Sequence, residues 1–499
     1  MNGAVRRTPR VPNLLVLAVL AVLPALVSDI AVAQGGRGSV SSTVRYLELR
    51  PLSQDTVPLA DVTALPDGRF RYDGRPAACE ETMCVVFGMG DVQHALLATH
   101  DADATFWGFG VQGLSATVQL RARTHLDGEL RLPYADETLE AILAYAELVR
   151  GMVRVRAGRQ RELSGLGFAG FDGVGVMVEP SRSVRAQLYG GRSLARSVQQ
   201  PIARAFRGVD EQDFIRDRDA YLLGGEVAWE SSAGSMLALR YQGEIWDDRG
   251  GLLSERALLI GRTSAIRPVE VAGSAEYDAG LGRIGKAHLE VQYAVPRSTI
   301  RVEAAVRRHL PFFEYWTIWG LFSPVAHHEA ELRTSWSPRP PLAVWGSAAY
   351  RRYAPHGTQT FLDPLSDETI RLGAGGAWRI ADDLAFDGAV RLEGPVGAFS
   401  FTGDAAVQWR ARPRLDLSMH ALLLEQVEEF RAGAATVMGG GIGADMRVSS
   451  GVSAAAGLEL YRQGQHDRPG GVNWTQRRGW VSLRFDLGRD PGLQREDDR

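Results

Sequence analysis

Apolar and polar residues alternate with a period of two along most of the chain after about residue 104. In the segment Phe399 to Trp409, every second residue is apolar or small and the residues between them are mostly polar. Because successive side chains of a strand point to opposite faces of a sheet, this pattern predicts strands with one apolar and one polar face. The segments 286–293, 384–392, 415–423 and 481–487 follow the same rule.

Tight turns and longer polar loops alternate between these segments. Tight turns fall at every second junction, at residues 113–115, 150–151, 180–182, 233–234, 267–268, 296–297, 338–341, 382–383, 412–413 and 449–451. Longer loops, such as 197–219, 358–368 and 463–473, fall between them. Short turns at one end and long loops at the other are typical of outer-membrane barrels. The sequence therefore predicts an all-β fold, a transmembrane antiparallel up-and-down β-barrel.

The turns also predict the size of the barrel. The ten turns imply 22 strands if the stretch 44–49 forms the first strand, and 21 strands if it does not. Because single-chain bacterial barrels have even numbers of strands, we expect 20 to 22 strands, with 22 favoured.

The alternation assigns each face of the strands to a solvent. Phe401, Val407 and Trp409 are expected to face lipid, whereas Thr402 and Asp404 are expected to face an aqueous lumen. Four tryptophans precede tight turns on the apolar parity, where a periplasmic aromatic girdle is expected; they are Trp229, Trp336, Trp378 and Trp409. Tryptophans of a soluble β core are the alternative.

The N-terminal residues predict export. A basic stretch is followed by the apolar run Leu14 to Val27 and by Ala31-Val32-Ala33, which is the order found in a secretory signal peptide. We expect residues 1–33 to be removed, residues 34–488 to form a barrel in the bacterial outer membrane, and residues 489–499 to be a charged tail. The mature chain has no second apolar run long enough for a membrane helix.

The long connection 53–101 contains both cysteines of the chain. Cys79 and Cys84 are close in sequence in an exported protein, so a local disulfide is expected. The formal net charge of −3 gives no indication of a nucleic-acid partner. No hydrolase, zinc-protease or nucleotide-binding motif is present, so we expect no enzymatic activity, no cofactor and no metal site. His327 and Glu329 share a face of one strand, but adjacent His328 points away.

Charged residues on the lumen parity predict the wall of a pore. Charges on the lipid face would cost several kcal/mol near the membrane midplane, which supports their inward assignment. Their mixed signs argue against a filter selective for one charge. The alternative is that the pairs only brace neighbouring strands. The predicted pore-lining residues are Arg121, Arg123, Arg154, Arg156, Arg185, Arg240, Glu244, Glu290, Arg301, Glu303, Arg307, Glu331, Arg333, Asp387, Arg391 and Asp404.

One hairpin of the chain resembles a known family. Gly158-Arg159-Gln160 ends a predicted strand, and Phe171-Asp172-Gly173-Val174 begins the next one. This pair of motifs resembles outer-membrane porins of the alginate-export and related families. The resemblance implies a passive channel in the outer membrane. The charged tail after Phe485 and Leu487 departs from the terminal aromatic residue that is typical of such barrels.

The sequence thus predicts a porin-like channel for passive diffusion of small polar solutes, with outer-membrane lipid around it. A barrel of about 22 strands is wide, so something is expected to narrow or fill it. Candidates are the segments 53–101, 197–219 and 311–324. The alternative function is a sheath whose lumen holds a protein partner, such as an electron-transfer cytochrome or a surface lipoprotein, and a periplasmic partner is also compatible with the sequence.

Overall fold

A computed structural model describes residues 35–49, 52–64, 70–72, 75–89, 91–128, 139–194, 220–246, 252–280, 282–310, 326–353, 368–394, 400–426, 435–465 and 473–488. The predicted signal peptide, the charged tail and most of the predicted long loops lie outside these residues. Within them, no helix is long and apolar enough to cross a membrane.

The described residues form 27 strands and one short 3₁₀ helix, Leu59–Asp61. The strands are β1 Gly35–Leu49, β2 Leu52–Pro58, β3 Thr63–Ala64, β4 Phe70–Tyr72, β5 Arg75–Glu80, β6 Met83–Met89, β7 Gln93–Trp107, β8 Leu114–Asp127, β9 Leu139–Arg150, β10 Val153–Ser164, β11 Gly167–Ser181, β12 Val184–Ser193, β13 Ala220–Glu230, β14 Met236–Trp246, β15 Leu252–Thr263, β16 Val269–Asp278, β17 Arg283–Ala294, β18 Ile300–His309, β19 His327–Arg339, β20 Leu342–Tyr353, β21 Glu368–Ala381, β22 Leu384–Gly394, β23 Ser400–Arg412, β24 Leu415–Gln426, β25 Ala435–Ser449, β26 Val452–Gln465 and β27 Trp474–Leu487.

Strands β1 and β7–β27 form one closed antiparallel barrel of 22 strands. Each strand from β7 onward pairs with its neighbour in sequence, and β1 closes the barrel by pairing with both β27 and β7. The prediction of an antiparallel barrel of 22 strands is confirmed. The first strand begins at Gly35 rather than at Val44, and it supplies the even count that closure in an antiparallel sheet requires.

The outer face of the barrel is a belt of exposed apolar side chains. Leu332, Val390 and Ile442 point outward and are 53%, 45% and 58% exposed. Side chains of this size are rarely exposed in such number on a soluble protein. Every barrel strand has at least the 10 residues of β12, β16 and β18, which is enough to cross hydrocarbon when the strand is tilted. The fold is a transmembrane β-barrel.

The ten tight turns lie at one end of the barrel, here named the short-turn end. The opposite end, where the predicted long loops belong, is the long-loop end. The four predicted girdle tryptophans lie on the outer face near the short-turn end, each almost half exposed. This position fits the aromatic belt at a membrane surface.

The segment between β1 and β7 differs from the long connection expected at residues 53–101. Strands β2 to β6 form a separate antiparallel sheet in the order β2, β6, β5, β4, β3. Cys79 and Cys84 pair across β5 and β6 and are joined by a disulfide. Residues 93–101 belong to the barrel strand β7. The alternation places the start of this strand at about residue 104, because the outward positions before it include small or polar residues, such as Ala98 and His100.

Candidate functional site: the lumen wall

The predicted pore-lining residues lie on the face of the sheet opposite the apolar belt. The register places them in rows that cross neighbouring strands. Arg307, for example, lies opposite Glu329, and Glu329 lies opposite Arg351. The period of two that is imposed by strand geometry therefore holds around the barrel.

Most of these charged residues are brought together in pairs across strands. Arg121 contacts Asp101 at 2.7 Å, Arg123 contacts Glu140 at 3.1 Å, and Arg391 contacts Asp404 at 3.1 Å. Arg154 and Arg156 both contact Glu147, while Arg185 and Arg240 share Glu226. Glu290 contacts His288 of its own strand, β17, at 3.5 Å.

Other predicted residues form no ion pair within the described part of the chain. Glu303 and Arg333 are opposite each other in the register without such a contact. The Arg333 guanidinium instead stacks on the Trp345 ring, 4.3 Å from its centroid. Arg301 and Asp387 also belong to this group. The ring face thus attracts the positive charge of Arg333.

A network of guanidinium groups and carboxylates crosses the lumen face from β18 to β22. At its centre is Glu329, whose side chain is only 4% exposed. Its carboxylate contacts Arg307 at 3.1 Å and both Arg351 and Arg371 at 2.8 Å. Hydrogen bonds between ionised partners are about twice as strong as neutral ones, so this carboxylate braces four strands.

Two further carboxylates extend the network on either side. Glu331 accepts a hydrogen bond from Arg307. Glu393 contacts Arg351 at 3.1 Å and Arg371 at 3.2 Å. The three arginines are about one-third exposed or less, so they are held in place while one side of the network still faces the lumen.

A recess of about 560 Å³ lies beside this network, on the lumen face of β19–β23. Trp345 lines the recess, and a β-carbon added at Gly375 would lie 2.8 Å from Cε2 of the Trp345 ring. Glycine is needed here because a larger residue would displace the ring. The charged residues around the recess are Arg333, Arg371, Arg391, Glu331, Asp387, Glu393 and Asp404. Charges of both signs are therefore present around the recess.

The hairpin β10–β11 leaves the wall near the long-loop end. Strand β10 pairs with β9 only as far as Arg159, whereas it continues to pair with β11 as far as Ser164. On the other side, β11 pairs with β12 only from Phe171 onward. Gly158, at the point of departure, has a φ of 122°, a conformation that residues with a side chain rarely adopt.

The tip of this hairpin packs against the lumen face of β15. A β-carbon added at Gly165 would overlap Cδ2 of Leu258 and lie 3.8 Å from Cδ1 of Ile260. Both leucine and isoleucine point inward, because Leu258 lies opposite Arg240 and Ile260 opposite Ala238. Leu166, next to Gly165, is 3% exposed. The hairpin therefore leans into the lumen and narrows it.

A small hydrophobic core lies where the hairpin meets the wall. Phe171 is fully buried and its ring stacks on Tyr189 of β12, with 5.5 Å between centroids. Ala169 and Leu222 complete the cluster. Polar contacts surround it: Glu162 of the hairpin accepts a hydrogen bond from Gln187 at 2.9 Å. A core on the lumen face shows that this arc of the wall is packed rather than open.

The two sequence motifs that resemble the porin families lie in the hairpin β10–β11 and meet where this hairpin leaves the wall. Gly158, Arg159 and Gln160 lie opposite Gly173, Asp172 and Phe171 in the register. Arg159 binds both carboxylate oxygens of Asp172, at 2.8 and 2.9 Å, on the outer face. On the inner face, Gln160 donates to the backbone oxygen of Gly173 at 3.1 Å. The motifs thus have a structural role as the hinge of an inward hairpin.

Sequence reasoning missed this hairpin as the element that narrows the lumen. The expected segments 197–219 and 311–324 lie outside the described residues. Glu244, expected in the open wall, is buried and accepts a hydrogen bond from Ser193 at 3.1 Å. The alternation of inward and outward side chains, applied to every strand, would have found the ion-pair partners that sequence reasoning missed. These partners are Asp101, Glu147, Glu226, Arg351, Arg371 and Glu393.

Two histidines of the lumen face are neighbours on adjacent strands. His309 and His327 lie with ring centroids 5.3 Å apart near the long-loop end. Across the described ranges, no group of three or more histidine, cysteine, aspartate or glutamate residues has the geometry to hold a metal ion.

Comparisons with known proteins give similar folds but no family. No protein-family model and no curated protein match the chain. A mutant of the ferric enterobactin receptor PfeA from Pseudomonas aeruginosa has a TM-score of 0.48 at 10% identity, covering 90% of this chain and 80% of that chain. The siderophore receptor PirA from Pseudomonas aeruginosa has a TM-score of 0.45 at 12% identity, covering 91% and 80%. Acinetobacter baumannii OccAB2 has a TM-score of 0.41 at 9% identity, covering 92% and 100%. These findings do not support a specific relation to alginate-export porins.

Proposed function

We propose that the protein is a channel of the bacterial outer membrane through which small polar solutes diffuse passively. The observation that carries this proposal is the contrast between the two arcs of the lumen wall. The arc around β10–β15 is packed under the inward hairpin, whereas the arc β19–β23 carries a charged recess of about 560 Å³. A route lined by polar groups along one side of a narrowed barrel suits solutes that lose little hydration.

The mixed charge of the recess supports a weakly selective channel. Three arginines and four carboxylates surround it, and several of them neutralise one another. Channels with rings of one charge select ions of the opposite sign. We therefore expect a reversal potential close to zero in a potassium chloride gradient. An enzymatic role is not part of the proposal.

The test is single-channel recording of the purified full-length barrel in a planar bilayer. Stable conductance steps are expected, and they should grow when Phe171 is replaced by alanine. Truncating a fully buried phenylalanine removes about 3–5 kcal/mol of packing, so the hairpin should be released from the wall. Phe386→Ala is the matched control, because Phe386 points outward into the apolar belt and lies away from the hairpin.

Silence from a folded barrel in both the native and the Phe171→Ala forms would contradict the proposal. It would favour the alternative of a sheath whose lumen belongs to a protein partner, and copurification of a haem protein or lipoprotein would identify that partner. Equal conductance changes in the Phe171 and Phe386 variants would show that the hairpin does not narrow the path.

A further inference from the structure

Three basic side chains form a row on the outer face of β18, β19 and β20. Arg308 lies opposite His328, and His328 lies opposite Arg352. They share the outward parity of Val306 and Leu332, which are 55% and 53% exposed. Directly opposed residues of neighbouring strands have β-carbons about 5 Å apart, so the three side chains are immediate neighbours.

The row lies at the level of a membrane surface. Each of its residues is next to the strand end at the long-loop end, where β18 ends at His309 and β20 ends at Tyr353. Ile300, eight residues before Arg308, lies opposite the girdle residue Trp336. Eight residues of a strand tilted by about 45° span roughly 19 Å along the membrane normal, a large part of the apolar band of about 25 Å. The row and the girdle therefore face opposite leaflets.

The described residues give the two arginines of the row no carboxylate at ion-pair distance. Neither Arg308 nor Arg352 forms an ion pair within the residues that the structure describes, and Nε of Arg308 is buried without a hydrogen-bond partner. Glu368 lies opposite Arg352 and accepts a hydrogen bond from Tyr350. Arg159, in contrast, is paired with Asp172 on the same outer surface. Two guanidinium groups on strands about 10 Å apart leave room for an external anion between them.

We propose that Arg308, His328 and Arg352 bind the phosphate of an anionic lipid headgroup in the leaflet at the long-loop end. Guanidinium groups match phosphate oxygens with two parallel hydrogen bonds, and Arg308 and Arg352 lie on strands about 10 Å apart with His328 between them. Their long side chains can converge on one phosphate from both sides while the lipid tails cover the apolar belt below. This site is separate from the lumen and does not depend on the proposed transport function.

The test is native mass spectrometry of the detergent-purified full chain, titrated with phosphatidylglycerol. Phosphatidylcholine with the same acyl chains serves as the lipid of zero net charge, and inorganic phosphate serves as the anion without a lipid. The native barrel is expected to retain the first phosphatidylglycerol. The double variant Arg308→Gln/Arg352→Gln is expected to bind this lipid with an affinity at least about tenfold lower. The matched control Arg301→Gln/Arg379→Gln removes two arginines from the lumen face near the short-turn end.

Equal weakening in both double variants, or unchanged binding in the Arg308/Arg352 variant, would overturn the proposal. Equal retention of phosphatidylcholine would also overturn it, because the site would then not recognise net charge. Displacement of the lipid by inorganic phosphate would assign the row to a soluble anion. Removal of charge from the outer face should not impair assembly, and the heat-modifiable shift in electrophoresis checks this. The two single variants provide the same comparison if the double variant folds poorly.

Discussion

The position of the hairpin tip can be tested with a pair of cysteines, Gly165→Cys and Leu258→Cys. A β-carbon at Gly165 would lie 3.8 Å from Cγ of Leu258, which is where the sulfur of a cysteine at residue 258 would lie. In a disulfide, a β-carbon and the sulfur of the partner residue are about 3 Å apart. A shift of about 1 Å would therefore bring the pair to bonding geometry, and the φ of Gly165 lies outside the left-handed region.

The measurement is the mass of the protease fragments of the folded barrel, separated with and without reductant. We expect the two fragments to be joined in most molecules without added catalyst. The native Cys79 and Cys84 are already bonded to each other, so they should not compete. The single-channel conductance should be unchanged, because the new bond holds the hairpin where it already lies.

The control pair is Gly165→Cys with Leu259→Cys. Leu259 is the next residue of β15, but it points outward and is 47% exposed. The two pairs differ only in the face of the sheet that carries the second cysteine. If the Leu259 pair formed as readily as the Leu258 pair, or if neither formed in the folded barrel, the hairpin would not lie inside the lumen.

The remaining predictions concern the two faces of the wall. Val390→Arg places a charge in the middle of the apolar belt at a cost of about 2–4 kcal/mol, so the yield of heat-modifiable barrel should fall, whereas Asp387→Asn on the lumen face should fold normally. Similar yields would refute the assignment of the faces. Glu329→Gln removes the charge shared by three arginines and should lower the free energy of unfolding by about 1–3 kcal/mol in a denaturant titration. Asp416→Asn breaks a pair whose partners are both 64% exposed and should have almost no effect; an equal loss would show that the network around Glu329 does not brace the wall.

The barrel could be predicted from the sequence because a strand has only one side-chain period. The β-carbons of successive residues point to opposite faces, so a lipid face and a water face produce the same alternation in every strand. In strand β7 this alternation is too weak to predict where the strand begins. In its first part, the outward residues Ala98 and His100 do not differ enough in polarity from their inward neighbours, and the pairing with β1 reveals that the strand begins at Gln93.

The inward hairpin could not be predicted from the same pattern. The residues from Arg161 to Phe168 could equally well belong to a wall strand or to a hairpin that has left the wall. What decides the outcome is the contact between Gly165 and Leu258, which are far apart in sequence. The alternation of neighbouring residues does not contain this information. The one local sign is Phe171, a large apolar residue at an inward-facing position, which is fully buried.

The charged pair on the outer face at Arg159 follows from the departure of the hairpin. Where β10 leaves β9, backbone groups of β9 lose their partners, and in a membrane such groups cost several kcal/mol unless they are satisfied. Arg159 is the last residue of β10 paired with β9, and its Nη1 donates to the backbone oxygen of Ala141 at 3.0 Å. Its other N–H groups bind Asp172 of β11. One arginine thus satisfies the strand that is left behind and fixes the strand that leaves, which explains why a charge is stabilised on a face that is otherwise apolar.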